Sequence, residues 1–234
     1  MADYERIYRE RAADYDAMVR AEDADGNLLP ALRRRARIDG AAILEIGVGT
    51  GRLTRLLAPL ASHYRGFERE AAMLERARPA ITALPDARVD VGDARELRAI
   101  EPGRFDVAIA GWVFGHFRTW FDDGQGGWRR EIEAGLAPLK RALRRGGALI
   151  VIETLGTGAT EPAPPNASLA EYYAWLESEH GMRRDAIRTD YRFASPEEAA
   201  AKMGFFFGEA FADRVRARAW SVVPECTGIW SVEV

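Results

Sequence analysis

The 234-residue sequence predicts an α/β fold, a mostly parallel sheet with helices on both faces, and three observations carry that reading. From Ala41 onward, short apolar runs alternate with stretches of helical periodicity, the pattern of strand-helix repeats. The strand-like runs are apolar almost without interruption, as strands covered on both faces are. The first of them passes straight into a glycine-rich turn, Gly47-Val48-Gly49-Thr50-Gly51, followed at once by a leucine-periodic helix.

Residues 1–40 carry charge and scattered aromatics and read as an N-terminal helical lid, with Tyr4, Tyr8, Tyr15 and Met18 in partly helical spacing. Strands are expected at 42–46, 63–68, 87–91, 105–111 and 147–153. Between them Leu53, Leu56, Leu57 and Leu60 repeat at i, i+3, i+4, i+7, and Ile132, Leu136, Leu139 and Leu143 at i, i+4, i+7, i+11. Two later helices are announced by capping boxes, Ser168 with Glu171 and Ser195 with Glu198, the second with Pro196 at its first helical position. Gly181 suits the end of the first of these helices. The stretch Gly156 to Pro165 reads as a loop. Strand-like sequence resumes at 184–193, a helical stretch is expected over 195–218 as an insertion, and strands at 219–223 and 227–232 close the chain. There is no internal repeat and no second domain, so residues 1–234 are expected to form one domain.

Composition narrows the function. With 33 Lys+Arg against 36 Asp+Glu the net charge is −3, which gives no basic face for nucleic acid. Hydrophobic residues at 47% and charged residues at 29% are ordinary for a folded domain, and no run reaches the ~18 apolar residues of a membrane span. The acidic start lacks an apolar targeting stretch, so a cytoplasmic location and no membrane partner are expected. One cysteine, Cys226, and three histidines leave no disulfide and no cysteine/histidine metal array. Only Lys140 and Lys202 are lysines, a bias that reads as the codon usage of a GC-rich bacterial genome rather than as anion recognition.

The chemistry gathers at the strand ends. Glycines at alternate positions remove Cβ atoms where the chain turns, so a ligand can lie against bare backbone, the nucleotide-pocket arrangement of a Rossmann-like sheet. Glu68 ends the second strand, 17 residues beyond Gly51, where a carboxylate can accept from both ribose hydroxyls. Asp93 follows the third strand in Gly92-Asp93-Ala94.

Together with the aromatic segment after the fourth strand and Arg145-Gly146-Gly147 before the fifth, these elements resemble the class I S-adenosylmethionine-dependent methyltransferases from about Ala41 to Glu153. The resemblance implies a seven-stranded sheet with the last strand antiparallel, and S-adenosyl-L-methionine as cofactor. It implies that Gly47, Val48, Gly49, Thr50 and Gly51 pack on the methionine part and that Glu45 sits near its amino group. Glu68 would hold the ribose, and Asp93 and Ala94 the adenine. Arg69, Met73, Ala110 and Gly111 are placed around the same cofactor, and Tyr15-Asp16 resembles the segment that lies over it. On this reading residues 41–155 are the cofactor-binding half and 156–234 the substrate side. A dinucleotide dehydrogenase would need its third glycine where Arg52 stands, so an NAD(P)-dependent oxidoreductase is the weaker alternative, and a non-catalytic S-adenosylmethionine binder is another.

Methyl transfer from a sulfonium needs above all a nucleophile held in line and water kept out, and a base only if the nucleophile arrives protonated. His116, six residues after Ala110, is the candidate for that base, against a role in ordering the helix start. Trp112, Phe114, Phe117, Trp120, Phe121 and Trp128, then Tyr172, Tyr173 and Trp175, then Phe205-Phe206-Phe207, point to a small apolar or aromatic acceptor, methylated at oxygen or nitrogen. No Asp/Asn-Pro-Pro-Tyr/Phe stretch follows the fourth strand, which disfavours amide or exocyclic amine methylation of protein or DNA. Asp122-Asp123-Gly124 reads as a turn rather than as metal ligands. A monomer or homodimer is expected.

Overall fold

The computed structural model describes residues 4–97 and 100–234. Among these described residues nine strands form: β1 Ala42–Ile46, β2 His63–Glu68, β3 Ala87–Val91, β4 Phe105–Gly111, β5 Leu143–Thr157, β6 Arg183–Arg188, β7 Tyr191–Arg192, β8 Val222–Val223 and β9 Glu225–Glu233. Seven of them form one sheet in the order β3-β2-β1-β4-β5-β9-β6, and β7 pairs with β8 alone. Every neighbouring pair from β3 to β5 is parallel, while β9 runs antiparallel to both β5 and β6. The reversal of strand order between β1 and β4 opens a crevice at the carboxyl edge of the sheet, where ligands of open α/β sheets bind.

The helices are α1 Tyr4–Glu10, α2 Ala12–Val19, α3 Leu28–Arg35, α4 Arg52–Leu57, α5 Ala71–Ala77, α6 Phe114–Trp120, α7 Gly127–Ala142, α8 Ala167–Ser178, α9 Pro196–Phe207 and α10 Glu209–Ala217. Alternate strand residues feed two cores. Leu44, Ala108, Val151 and Trp230 pack under α7 and α8, whereas Ile43, Ile109, Ile150 and Ile229 pack with Leu32 of α3 and Leu53 and Leu57 of α4. A third cluster joins Met18 and Val19 to Tyr191, Phe193, Met203, Phe206 and Val223. Of the lid expected over residues 1–40, α1 and α2 lie over the carboxyl edge, but α3 is buried in the second core through Leu28, Ala31 and Leu32. No helix among the described residues is long and apolar enough to cross a membrane.

Four expectations change. The cap of α8 is Asn166, whose side chain accepts from Leu169 N at 2.9 Å, and Ser168 lies inside the helix. Glu171 closes no box; it binds the guanidinium groups of Arg118 and Arg129. The strand expected at 184–193 is two strands in different sheets. The Asp190 carboxylate accepts from Arg188 Nε and Nη2, at 2.9 and 2.8 Å, and from Glu225 N at 3.0 Å, and so turns the chain between them. The helical stretch 195–218 breaks at Gly208, whose φ of 89° with ψ of 166° no helix accommodates. Finally, β5 starts at Leu143, ahead of the expected 147, with a register shift opposite Phe105 and Val107. The cap expected at Ser195 is present: its hydroxyl accepts from Glu198 N, and Glu198 returns to Ala194 N.

The reassigned cap is testable. Asn166→Ala is expected to lower stability by about 1 kcal/mol, and Ser168→Ala to leave it nearly unchanged. Urea midpoints check this; equal losses from the two substitutions would contradict the assignment.

Candidate active site

The loop after β1 is shaped by its neighbours. The Phe67 carbonyl of β2 accepts from both Gly47 N, at 2.8 Å, and Val48 N, at 3.1 Å, which peels the chain off the end of β1. Gly47 then turns with φ of 69°, and a Cβ there would overlap the Val113 side chain. Glycine is required twice over, by backbone conformation and by space.

Glu68, at the end of β2, receives Gly49 N at 2.8 Å on one carboxylate oxygen and Glu70 N at 2.9 Å on the other. Burial raises its pKa against the pull of those amides. Glu45 is fully buried on β1 and accepts from the Tyr64 hydroxyl and, at 3.2 Å, from Thr54 Oγ1; burial pushes it up to about 8. Asp93 caps the turn after β3 by accepting from Arg95 N at 2.9 Å, and it holds Arg95 Nε and Nη2 at 2.9 and 2.7 Å. Those bonds from Arg95, which also reaches Glu131 at 2.8 Å, keep the Asp93 carboxyl below the usual range.

At the end of β4 the chain does something the sequence did not announce. Trp112 adopts φ of 55°, a left-handed conformation that costs a non-glycine residue about 1–3 kcal/mol. Its N–H donates to the Ile152 carbonyl at 2.7 Å, and its ring carries the Arg52 guanidinium at 3.2 Å from the centroid. Arg52 in turn donates to the buried carboxylate of Glu22. The following helix α6 is anchored by Glu153 of β5, which accepts from Gly115 N at 2.8 Å and the Tyr172 hydroxyl at 3.4 Å; burial pushes Glu153 up to about 8.

This places His116 of α6 against the lid. Its ring stacks on Trp120 with centroids 5.0 Å apart, and its Nε2 is 2.9 Å from the Tyr8 hydroxyl of α1. Burial first, then the charge of Arg69, drives its pKa down to about 4, so it is neutral at pH 7. Arg69 lies 4.9 Å from the Trp120 centroid and bonds Glu5 of α1 at 2.9 Å. Phe206 of α9 packs on Tyr4 and Tyr15 at 4.9 and 5.3 Å.

Among the described residues these groups converge on a cleft at the carboxyl edge of the sheet, which α1 and α2 cover closely enough to leave a free volume of about 120 Å³. Of the residues singled out in the sequence, Tyr15, Glu45, Gly47, Val48, Gly49, Thr50, Glu68, Arg69, Met73, Asp93, Ala94, Gly111 and His116 line it. Gly51 and Ala110 do not. Gly51 is the left-handed residue before α4 and packs against Ala77, and Ala110 is buried within β4 beside Ile46 and Val151. Among the aromatics, Trp112, Phe117 and Trp120 line the cleft, whereas Phe114, Trp128, Tyr172 and Tyr173 are buried in the core. Sequence reasoning did not mark Tyr8 or Arg52 as cleft residues, nor Glu22 as the partner of Arg52. Tyr8 could be found from the same spacing that marked Tyr15; the pairing of Glu22 with Arg52, 30 residues apart, has no local signal.

Residues 44–151 match the sequence model of a family described as methyltransferase domain. No curated protein matches the chain. Solved structures are similar in fold. An S-adenosylmethionine-dependent methyltransferase from Aquifex aeolicus is 14% identical with a TM-score of 0.54, over 99% of this chain and 94% of that one. The YcgJ protein from Bacillus subtilis is 14% identical with a TM-score of 0.57, over 87% and 95% of the two chains. Phosphoethanolamine N-methyltransferase 1 of Haemonchus contortus, solved with phosphoethanolamine and S-adenosylhomocysteine, is 15% identical with a TM-score of 0.52, over 99% of this chain and 48% of that one. At these identities the likeness establishes the fold.

The buried acids make stability depend on pH. Glu45, Glu153 and Glu225 are all pushed up to about 8 by burial, so the stability they contribute is complete below ~4.3, their ordinary value, and is lost as pH rises through about 8. His116 works oppositely, its contribution present above ~6.5 and lost as pH falls through about 4. The melting temperature is therefore expected to fall between pH 6.5 and 9, and Glu153→Gln to flatten that slope. Calorimetric melts check this; a melting temperature that rises across the interval would contradict it.

Proposed function

We propose that this chain, whose residues 44–151 match a methyltransferase-domain family, is a class I S-adenosylmethionine-dependent methyltransferase that uses the cleft to methylate an oxygen or nitrogen atom of a small apolar or aromatic molecule. The observation that supports this most is the division of one cleft along the sheet order. Polar groups suited to the cofactor lie after β3, β2 and β1, and an aromatic wall with a neutral histidine lies after β4.

The residues present fit the cofactor. Thr50 Oγ1 is buried at the cleft without a hydrogen-bond partner, and at Gly49 a Cβ would meet nothing nearer than Met73 Cε at 3.8 Å, which leaves bare backbone beside it. Glu68 has lone pairs beyond the two used by Gly49 N and Glu70 N, so it can also accept from ribose hydroxyls. Asp93 is kept ionised by Arg95 and can accept from an exocyclic amine. When bound, S-adenosylmethionine supplies a methyl group already activated on a sulfonium. The chain's part is orientation and exclusion of water: Tyr8, Tyr15 and Val19 close the cleft from α1 and α2, tied down by the Glu5–Arg69 and Tyr8–His116 contacts.

His116 keeps its place as the group able to take a proton from the acceptor, with Tyr8 as its hydrogen-bond partner. Because its pKa is near 4, it is unprotonated across the neutral range and is a weak base, suited to an acceptor that is itself acidic or needs no strong base.

Calorimetry should show heat with S-adenosylhomocysteine and none with NAD, and Glu68→Gln should weaken the former about tenfold, ~1.4 kcal/mol. Heat with NAD alone would overturn the reading in favour of an oxidoreductase. His116→Ala is expected to lose most turnover while S-adenosylhomocysteine affinity stays within about threefold, a difference of roughly 0.65 kcal/mol. The wild-type rate should show no acidic limb near pH 6.5; near-normal turnover in the variant would remove His116 from the chemistry.

A further inference from the structure

The cleft occupies the carboxyl edge of the sheet; the amino edge carries a second concavity, with a free volume of about 560 Å³. Sheet register and one helix end build it. Parallel pairing of β4 with β5 brings Asp106, Arg144 and Ala148 to this edge, and β9 ends there with Glu233 opposite Ala148. β6 begins there, with Arg183 opposite Ser231. Helix α3 buries Leu28, Ala31 and Leu32, which leaves Arg34 and Arg35 of its last turn, and Arg37 just beyond, to complete the wall. Cations at a helix C-terminus are favoured by the helix dipole.

The charge of this concavity is opposite to that of the chain. Five guanidiniums, of Arg34, Arg35, Arg37, Arg144 and Arg183, line it against the carboxylates of Asp106 and Glu233, in a chain of net charge −3. Asp106 is already engaged, accepting from Ala42 N at 2.7 Å and pairing with Arg144 Nε at 2.5 Å. Arg35 pairs with Asp185 of β6 through Nη2, but its Nε is covered by protein and donates to nothing. A buried donor without an acceptor is rare and calls for an explanation. Arg34, Arg37 and Arg183 have no carboxylate partner among the described residues, and Arg37 Nε only approaches the Asp39 carbonyl, at 3.4 Å. Of the arginines next to these in sequence, Arg33 is held by Asp39 at 2.6 Å and Arg184 by Glu177 at 3.5 Å, while Arg145 is unpaired. Acids thus flank the cluster on the α3 and β6 sides, which suits a compact anion better than a polymer.

We infer that this concavity is a second binding site, for a small molecule that carries two or more linked phosphates, held by the free guanidiniums of Arg34, Arg37 and Arg183 and by the idle Nε of Arg35. Guanidinium forks match phosphate oxygens and stay charged at any physiological pH. A single phosphate brings roughly two negative charges, fewer than the three free guanidiniums, and a linked pair brings enough. The site lies at the opposite edge of the sheet from the cleft, so it stands whether or not the methyltransferase reading does. The competing account is that each arginine is solvated by itself and nothing binds.

The test titrates the full chain with inorganic pyrophosphate in about 0.15 M salt, where screening over ~8 Å suppresses attraction to scattered surface charge. Pyrophosphate is expected to bind at least about tenfold more tightly than orthophosphate, a difference of ~1.4 kcal/mol. Arg34 and Arg183 are exposed and have no bond to lose, so Arg34→Gln and Arg183→Gln should fold normally. Each is expected to weaken pyrophosphate about tenfold, while Arg33→Gln and saturation with S-adenosylhomocysteine each leave it within about twofold. ADP, titrated alongside, separates two sources of the same chemistry: affinity equal to that of pyrophosphate means that the phosphates alone are read, and tighter binding that the pocket also takes a nucleoside. No pyrophosphate binding, no preference over orthophosphate, an equal loss from Arg33→Gln, or competition with S-adenosylhomocysteine would overturn the site. A DNA duplex that binds through Arg34 and Arg183 more tightly than pyrophosphate would make this a nucleic-acid face and overturn it as well.

Discussion

The carboxylate of Glu68 holds the amide of Gly49 on one oxygen and that of Glu70 on the other, and the rest of the site depends on that clasp. A loop with glycines at positions 47, 49 and 51, all at positive φ, has no side chains to fix its path. Its shape comes from outside, from the Phe67 carbonyl below and Glu68 beside it. Once the loop is set, the Val113 side chain can close over Gly47, and Leu53 can pack against the bare face of Gly111. The exits of β1, β2 and β4 are thereby locked together at the switch point of the sheet, where a ligand has backbone to lie on.

A second constraint runs along the same edge. Glu45, Glu153, Glu22 and Glu225 are buried acids with raised pKa values, and each ties one element to another. Glu45 joins β1 to Tyr64 of β2, Glu153 joins β5 to the start of α6, Glu22 joins the N-terminal segment to α4, and Glu225 joins β9 to β5. Burying a carboxyl is costly unless it is hydrogen-bonded or protonated, so such groups persist where they position something. Here they position the aromatic wall, His116 and the segment that covers the cleft. The left-handed Trp112 belongs to the same economy: Arg52 stacked on its ring and the Ile152 carbonyl on its N–H hold a conformation that its own backbone disfavours.

Much of this was legible in the sequence. The first four strands fall on the residues expected, because each is a short apolar run between strong turn signals. The glycine loop, Glu68, Asp93 and His116 stand where their positions after successive strands implied, since a parallel sheet brings all strand ends to one edge. The failures share a cause. The cap of α8 shifted to Asn166 because two candidate oxygens lay two residues apart, and local pattern cannot rank them. The break between β6 and β7 is made by Asp190 holding Glu225, and the Trp112 conformation by Arg52, both contacts between segments far apart in the chain. Glu22 read as one acid in a charged stretch until folding placed it against Arg52.

The most direct check is a crystal structure of the chain with S-adenosylhomocysteine. The expected result is the ligand in the cleft after β1, with its ribose hydroxyls on Glu68, its adenine at Asp93 and its sulfur toward the wall of Trp112 and His116. A ligand bound elsewhere, or bound in the cleft without touching Glu68, would contradict the assignment of this edge as the methyl-transfer site.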